Sequence, residues 1–145
     1  MSCFESTVVH DPHIVKRLTF IWTTDTLPIP ARINKQAWIK AGIPVQILTD
    51  ADCERLAKRC NVHLAYRSAL FDIMRADLCR YLAILVHGGL YADLDIKVKR
   101  SPSKWLRWQQ PLLVGRDFAK DFNNFFFGAV ARHPALACAV QTSSA

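Results

Sequence analysis

Residues 69–98 read ALFDIMRADLCRYLAILVHGGLYADLDIKV, and this stretch decides the fold of the chain. Its first part, Ala69–His87, predicts a helix, because the glycines Gly88-Gly89 that follow it suit a left-handed cap. Its second part, Leu90–Val98, alternates apolar and polar residues, which predicts a strand. A helix joined to a strand through a glycine turn is typical of an α/β domain.

The flanking segments continue the alternation of strands and helices. Further strands are predicted at Arg17–Thr24, Val45–Leu48, Pro111–Val114 and Phe125–Val130. Helices are predicted after Pro28-Ile29-Pro30, after the capping box Thr49–Asp52 as far as Cys60-Asn61, and from His133-Pro134 to Ala145. Without repeats or linkers, residues 1–145 predict one α/β domain with a mostly parallel central sheet.

The composition bounds the class of protein. A chain of 145 residues that is 51% hydrophobic and 21% charged is an ordinary folded protein. Its apolar runs fall short of the roughly 20 residues of a membrane span, and Met1–Glu5 lacks a signal pattern, so a cytoplasmic protein is expected. The net charge of +7 predicts an anionic partner, either nucleic acid, a membrane surface or a phosphorylated substrate. The bases are scattered without interleaved aromatics, so charge alone does not decide between these three kinds of partner.

The cysteines and histidines carry weaker signals. Five cysteines without a C-x-x-C spacing predict free buried thiols in a reducing compartment. The five histidines are scattered, which favours surface or capping roles over a metal site; they are His10, His13, His63, His87 and His133.

Two aspartates in the predicted strand are the first candidate site. Alternation places Asp93 and Asp95 on one polar face with Tyr91, and their Cα atoms would be about 6.6 Å apart. Like charges so placed repel each other, and a divalent cation with hard oxygen ligands, Mg²⁺ or Mn²⁺, would remove the repulsion. The alternative is a polar edge strand in water. The position after a helix and a glycine turn favours the metal site, since ligands gather at the carboxyl ends of such strands.

Asp77 and Arg80 on the predicted helix are the second candidate. Asp77 has mostly apolar neighbours three and four residues away, where an acid is costly to bury without a partner. One interpretation is a routine ion pair with Arg80. The other is that both side chains project into a ligand cleft beside Asp93 and Asp95. A pair between Arg75 and Asp72 is expected to be solvated.

Taken together, these residues resemble a known family. The segments Ala76–Tyr81 and His87–Asp95 combine Asp-x-x-Arg-Tyr, Gly-Gly-x-Tyr and Asp-x-Asp, which is similar to the signature of the DXD-containing sugar transferases. That family (family 32 type) includes α-1,6-mannosyltransferases, α-1,4-galactosyltransferases and capsular polysaccharide sugar transferases. Weaker matches at Trp22, Asn123-Asn124, Gly128 and His133-Pro134 extend the resemblance over roughly Leu18–Pro134.

The resemblance implies a fold and a reaction. It implies a GT-A-like nucleotide-sugar-binding sandwich and a retaining, metal-dependent transfer of a hexose-type sugar from a UDP- or GDP-linked donor to a glycan or other hydroxyl acceptor. Asp95 would be the principal ligand of Mn²⁺ or Mg²⁺, and Asp93 would contact the ribose and the metal shell. Asp77 and Arg80 would hydrogen-bond the donor sugar. Trp22 would pack near the nucleobase, and Asn124 would reach the sugar or acceptor side.

Two departures from the family pattern leave alternatives open. Thr19 stands where members commonly have a histidine, and members usually continue well beyond the position matching Pro134. The resemblance therefore implies a chain shortened at its C-terminus, after about residue 134, and the apolar surface that this would expose favours self-association. A non-catalytic relative that binds nucleotide or metal, or acts as an interaction module, is the alternative function. A nucleic-acid-binding domain is a third hypothesis that rests on charge alone.

Overall fold

A computed structural model describes residues 3–5 and 13–145. It contains five strands: β1 Leu18–Ile21, β2 Val45–Leu48, β3 Gly89–Ala92, β4 Leu112–Arg116 and β5 Phe122–Ala129. The helices are α1 Ile29–Lys40, α2 Asp50–Arg59, α3 His63–Ser68, α4 Asp72–His87 and α5 Pro134–Ser143, with a short 3₁₀ turn at Pro102–Lys104. The strands form one open sheet in the order β2-β1-β3-β5-β4.

The sheet is mostly parallel, as the sequence predicts. Strand β1 pairs in parallel with both β2 and β3. Strand β5 runs antiparallel to β3 and to β4, so four strands share one direction and β5 opposes them. The carboxyl ends of β1, β2 and β3 consequently meet at one edge of the sheet, where ligands of α/β proteins collect.

Helices cover both faces of the sheet. Helices α2, α3, α4 and α5 form one core with the side chains of Tyr91 and Phe127. Helix α1 covers the other face, where Leu90, Ala92 and Trp38 are buried. The alternation of Leu90, Tyr91 and Ala92 between the two cores is the period-two pattern of a strand buried on both sides.

The junction between α4 and β3 confirms the glycine turn. Gly88 and Gly89 have φ angles of +66° and +100°, in the region that favours glycine. A Cβ atom at Gly89 would lie 2.9 Å from the backbone oxygen of Arg17, so close packing also excludes a side chain. The capping box at Thr49 and Asp52 is confirmed too, with both reciprocal hydrogen bonds present.

The predicted strand Leu90–Val98 is wrong beyond Ala92. The amide of Asp93 still donates to the oxygen of Phe125, but the chain then turns, with the amide of Ile96 donating to the oxygen of Asp93. The side chain of Asn34 on α1 donates to the oxygens of Leu94 and Ile96, where a neighbouring strand would otherwise bond. Asp93 and Asp95 therefore lie in a turn past the sheet edge, and not on one face of a strand.

The prediction of free thiols is wrong for four cysteines. Cys3 is bonded to Cys60 and Cys53 to Cys79, and Cys138 is the free cysteine in the described part of the chain. The partners are 57 and 26 residues apart and meet only through tertiary packing, so no local spacing predicts them. Disulfides are typical of oxidising compartments, and the thiol argument for a reducing compartment therefore fails.

The last predicted helix is present but shorter than expected. Helix α5 ends at Ser143, and Nδ1 of His133 accepts a hydrogen bond from the amide of Ala135, which confirms a capping role for this histidine. The prediction for His10 lies outside the described residues. Within residues 3–5 and 13–145, no helix is long and apolar enough to cross a bilayer.

Candidate functional site

A cleft of about 800 Å³ opens at the carboxyl ends of β1 and β3. Helices α2, α3 and α4 form its other walls. Its lining includes three of the predicted site residues, Trp22, Arg80 and Asp93, together with Tyr66, Arg67 and Tyr91. A volume of this size is within the range of pockets that hold small ligands.

Arg80 is the centre of the polar network in this cleft. Its side chain is only 6% exposed, and Nη2 lies 3.0 Å from Oδ1 of Asp77. Nη1 lies 3.3 Å from Oδ1 of Asp93 and donates to the backbone oxygen of Asn124 at 2.9 Å. The predicted ion pair between Asp77 and Arg80 is thus present, and it also extends to Asp93. Helix α4, strand β5 and the turn after β3 all meet at this guanidinium.

The buried side chain of Tyr91 orients the carboxylate of Asp93. Its hydroxyl donates to Oδ1 of Asp93 at 2.7 Å, and the guanidinium of Arg80 lies over its ring, 4.8 Å from the ring centroid. Burial raises the pKa of Tyr91 well above its ordinary value, so the phenol stays protonated and remains a donor. A buried donor and a buried cation therefore share one oxygen of Asp93.

Asn124 joins strand β5 to helix α4. Its Nδ2 donates to the hydroxyl of Tyr81 at 3.0 Å and to Oδ1 of Asp77 at 3.5 Å. Because its backbone oxygen accepts from Arg80, both ends of this residue belong to the network. The structure thus brings Asp77, Arg80, Asp93 and Asn124 together, although 47 residues separate the first from the last.

Trp22 and Asp95 lie at the margins of the network. Trp22 follows β1, its amide donates to the oxygen of Leu48, and its half-buried ring lines the cleft. Asp95 is exposed in the turn after β3, and among the described residues it has no ion pair. Asp95, Asp77 and Asn124 do not line the cleft. Asp77 and Asn124 are connected to the cleft by their contacts with Arg80, which does line it.

The donor set of this site fits a divalent cation. The described residues hold no group of three acidic, histidine or cysteine side chains at metal distance. Mg²⁺-like ions keep several waters and bind through one or two carboxylates plus substrate phosphates, so Asp93 and Asp95 suffice for that mode. Oδ2 of Asp93 and the exposed carboxylate of Asp95 would supply the oxygen ligands, since Oδ1 of Asp93 already contacts Tyr91 and Arg80.

Sequence reasoning missed several residues of the cleft. Nε and Nη2 of Arg67 on α3 both donate to Oε1 of Glu54 on α2, and both residues line the cleft. The pair spans 13 residues and two helices, and no pattern in the sequence indicates it. The alternation of residues 90–98 predicts Tyr91 on the same face as Asp93, and this is the signal in the sequence that points to its role. The solvated pair of Arg75 with Asp72 is confirmed, since the Asp72 side chain is 99% exposed.

The fold and the site define a class of protein. The sequence profile of the glycosyltransferase sugar-binding region containing a DXD motif matches residues 9–111. This span is more than half of the chain, and the chain belongs to that family.

Two individual proteins illustrate the similarity. Inositol phosphoceramide mannosyltransferase 3 of Schizosaccharomyces pombe is 34% identical over 71 residues, which are 49% of this chain and 19% of that protein. The chain thus spans about a fifth of the length of this relative. The structure of the PaToxG glycosyltransferase superposes with a TM-score of 0.62 at 16% identity, covering 86% of this chain and 58% of that one. At this identity the likeness shows a shared fold.

Proposed function

We propose that this chain is the donor-binding part of a metal-dependent glycosyltransferase. It would bind a UDP- or GDP-linked sugar in the cleft and support transfer of the sugar, with retention, to a hydroxyl of a glycan or other acceptor. The observation that carries the proposal is the buried Arg80, which ties Asp77 and Asp93 together at the carboxyl edge of the sheet. Family membership supports the same class of reaction.

Each site residue has a role in this proposal. Asp93 and Asp95 would hold Mn²⁺ or Mg²⁺ against the donor diphosphate, and Asp93 would also contact the ribose. Asp77, whose side chain is 41% exposed, would accept hydrogen bonds from the donor sugar. Trp22 would pack against the nucleobase.

Arg80 and Asn124 would act mainly by holding the other groups. Nη1 and Nη2 of Arg80 already contact Asp93 and Asp77, and its Nε is buried with no partner among the described residues, so a hydrogen bond from Arg80 to the donor sugar would have to come from Nη1 or Nη2. Asn124 would face the sugar or acceptor side from β5. Both residues contact Oδ1 of Asp77 and would keep its carboxylate oriented toward the donor.

The chemistry requires stabilisation of a leaving diphosphate. When bound, the divalent cation supplies Lewis acidity for that charge. Arg80 adds a preorganised positive charge in a site of low exposure, where it costs no reorganisation. Asp93 and Asp95 act as electrostatic anchors and need not exchange protons.

Calorimetric titration with UDP and GDP, with and without Mn²⁺, tests the proposal. One nucleotide should bind only in the presence of the metal, and Asp95→Asn should abolish this metal-dependent binding. Glu5→Gln is a matched control, because Glu5 is exposed and lies two residues after Cys3. Cys3 is bonded to Cys60 at the end of α2, about 15 Å from the end of that helix that lines the cleft.

The outcomes separate the candidate functions. Binding without release of nucleoside diphosphate in the presence of acceptors supports the non-catalytic relative. The absence of any nucleotide binding by the folded chain contradicts the donor site itself. A sizing column run on the same samples tests the expected self-association.

A further inference from the structure

An amide side chain lies in the middle of the buried face of helix α1. The buried residues of this helix are Ala31, Asn34 and Trp38, and Asn34 is only 5% exposed. An apolar residue would be the ordinary choice at such a position, because a polar group that leaves water needs hydrogen-bond partners. The partners of Asn34 therefore indicate what the side chain does.

Those partners are the two backbone carbonyls on either side of Asp95. Nδ2 of Asn34 donates to the oxygen of Leu94 at 2.9 Å and to the oxygen of Ile96 at 2.6 Å. Nε1 of Trp38, about one turn further along α1, donates to the oxygen of Ile96 at 3.0 Å. Three hydrogen bonds from one helix face thus hold both neighbours of Asp95 in the chain.

The other polar atom of the Asn34 side chain has no partner. A carbonyl only accepts hydrogen bonds, so the amide nitrogen must face Leu94 and Ile96, and Oδ1 points away from them. Oδ1 is buried without a hydrogen-bond partner among the described residues. A buried acceptor that is left unpaired lowers the stability of a fold. Packing alone therefore does not explain the amide, whereas its bonds to the turn do.

Asp95 depends on the backbone of this turn for its position. The carboxylate of Asp93 is oriented by Tyr91 and Arg80. The exposed carboxylate of Asp95 has no hydrogen bond or ion pair within the described part of the chain. Its distance from Asp93 is consequently set by the turn itself, in which the amide of Ile96 donates to the oxygen of Asp93 at 3.0 Å.

A neutral donor suits this position. Asp93 and Asp95 repel each other before a cation binds, and the repulsion favours a more open turn. A lysine or arginine in place of Asn34 would pair with the carboxylates and compete with the cation. The amide holds the main chain instead and leaves both carboxylates negative.

We propose that Asn34 is a positioning residue of the metal site, with Trp38 as the second donor. Asn34 holds the turn so that Asp95 lies beside Asp93 in the arrangement that binds a divalent cation and the donor diphosphate. Asn34 does not line the cleft, so it acts through the main chain of the turn. This role rests on the proposed function of the cleft.

Titration with Mn²⁺, followed by the loss of the electron paramagnetic resonance signal of the free ion, tests the proposal. In the presence of the nucleotide that the wild type binds, Asn34→Leu should bind Mn²⁺ about 10- to 100-fold more weakly, because it keeps a branched side chain and removes both bonds. Trp38→Phe removes one of the three bonds and keeps a ring to stack on Phe126, so a loss of roughly fivefold is expected.

Ile43→Ala is the matched control. Ile43 is 4% exposed and belongs to the same core as Trp38. It lies between the end of α1 and the start of β2, at the edge of the sheet away from the cleft. The cavity should lower the temperature of unfolding, while the affinity for Mn²⁺ should change by no more than about twofold.

The outcomes separate the positioning role from the donor site itself. Thermal unfolding confirms that each variant is folded at the temperature of the titration. Equal Mn²⁺ affinities of Asn34→Leu and the wild type, or an equal loss in Ile43→Ala, would overturn the positioning role and leave the donor site intact. If Asn34→Leu does not fold, an unchanged affinity of folded Trp38→Phe would overturn it instead. The absence of metal-dependent nucleotide binding by the wild type would overturn the proposed function, and the positioning role with it.

Discussion

The hydroxyl of Tyr91 donates a hydrogen bond to Oδ1 of Asp93, two residues further along the chain, at 2.7 Å. Tyr91 is 4% exposed and sits in β3, whereas Asp93 lies in the turn after it. The bond therefore couples a rigid strand to a carboxylate at the mouth of the cleft. Because Arg80 contacts the same oxygen, Oδ2 of Asp93 is the oxygen left for a ligand.

Replacing Tyr91 by phenylalanine should weaken metal-supported nucleotide binding. Partners that orient metal ligands typically contribute 10- to 100-fold to metal affinity, and a loss in that range is expected for Tyr91→Phe, about 1.4–2.7 kcal/mol. Titration of the chain with Mn²⁺ in the presence of the nucleotide measures it. Tyr66→Phe is the control, because Tyr66 is buried and lines the same cleft without a described hydrogen bond to a carboxylate. Equal affinities for the two variants would contradict the coupling.

Replacing Arg80 by methionine should destabilise the fold as well as the site. The change removes a buried cation and leaves Asp77 and Asp93 facing each other without their shared partner. Breaking a buried pair costs about 3–5 kcal/mol, but the carboxylates of Asp77 and Asp93 are both more than a third exposed, so a loss of about 1–3 kcal/mol is expected. Urea unfolding measures it.

A second substitution separates charge from packing at Arg80. Adding Asp77→Asn to Arg80→Met removes one of the unpaired carboxylates and should restore part of the lost stability. Arg80→Lys keeps the charge but loses the fork geometry, so it should be intermediate in stability and still poor in nucleotide binding. A double variant no more stable than Arg80→Met alone would show that lost packing, and not unpaired charge, dominates.

The parts of the fold that could be predicted depend on local signals. The turn at Gly88-Gly89 and the capping box at Thr49 and Asp52 need only adjacent residues, and both are confirmed. The sequence predicts Leu94 and Ile96 on one apolar face, and both side chains are partly buried against the core beside α1. Their alternation reports burial, however, and it could not show where hydrogen bonding to a neighbouring strand stops.

The parts that could not be predicted depend on distant contacts. Strand β3 ends because Asn34, 60 residues away from Leu94, supplies side-chain donors to the turn. Arg80 meets Asn124 across 44 residues because β5 returns antiparallel beside β3. The resemblance to sugar transferases named Asp77, Arg80, Asp93 and Asn124 as site residues, but only the fold shows that one guanidinium joins them.

The disulfide between Cys53 and Cys79 should contribute strongly to stability. It links α2 to α4 at the wall of the cleft and closes a loop of 26 residues. The chain-entropy treatment gives about 3.5 kcal/mol for a loop of that size, which the variant Cys53→Ala with Cys79→Ala should lose. Thermal and urea unfolding measure the loss.

Thiol counting tests the same assignment independently. The native chain should react at one thiol, the exposed Cys138, and the reduced, denatured chain at five. Cys138→Ala should remove the native signal without changing stability by more than about 0.5 kcal/mol, as for other exposed positions. Five reactive thiols in the unfolded chain without reductant would support the original prediction of free cysteines.

The cap at the start of α2 predicts a specific loss of stability in acid. The amide of Thr49 donates to Oδ2 of Asp52 at 2.8 Å, and this bond, followed by the hydroxyl of Thr49 and by Arg55, lowers the pKa of Asp52. Because the folded pKa lies below that of the unfolded chain, about 3.9, the stabilisation is present above that pH and is lost as pH falls through the folded pKa. A cap of this kind contributes about 1 kcal/mol.

Asp52→Asn should therefore be less stable at neutral pH and should lose less stability than the wild type on acidification. Asp50→Asn, at the neighbouring exposed acid, should keep the acid-dependent loss, and urea unfolding across this pH range distinguishes the two.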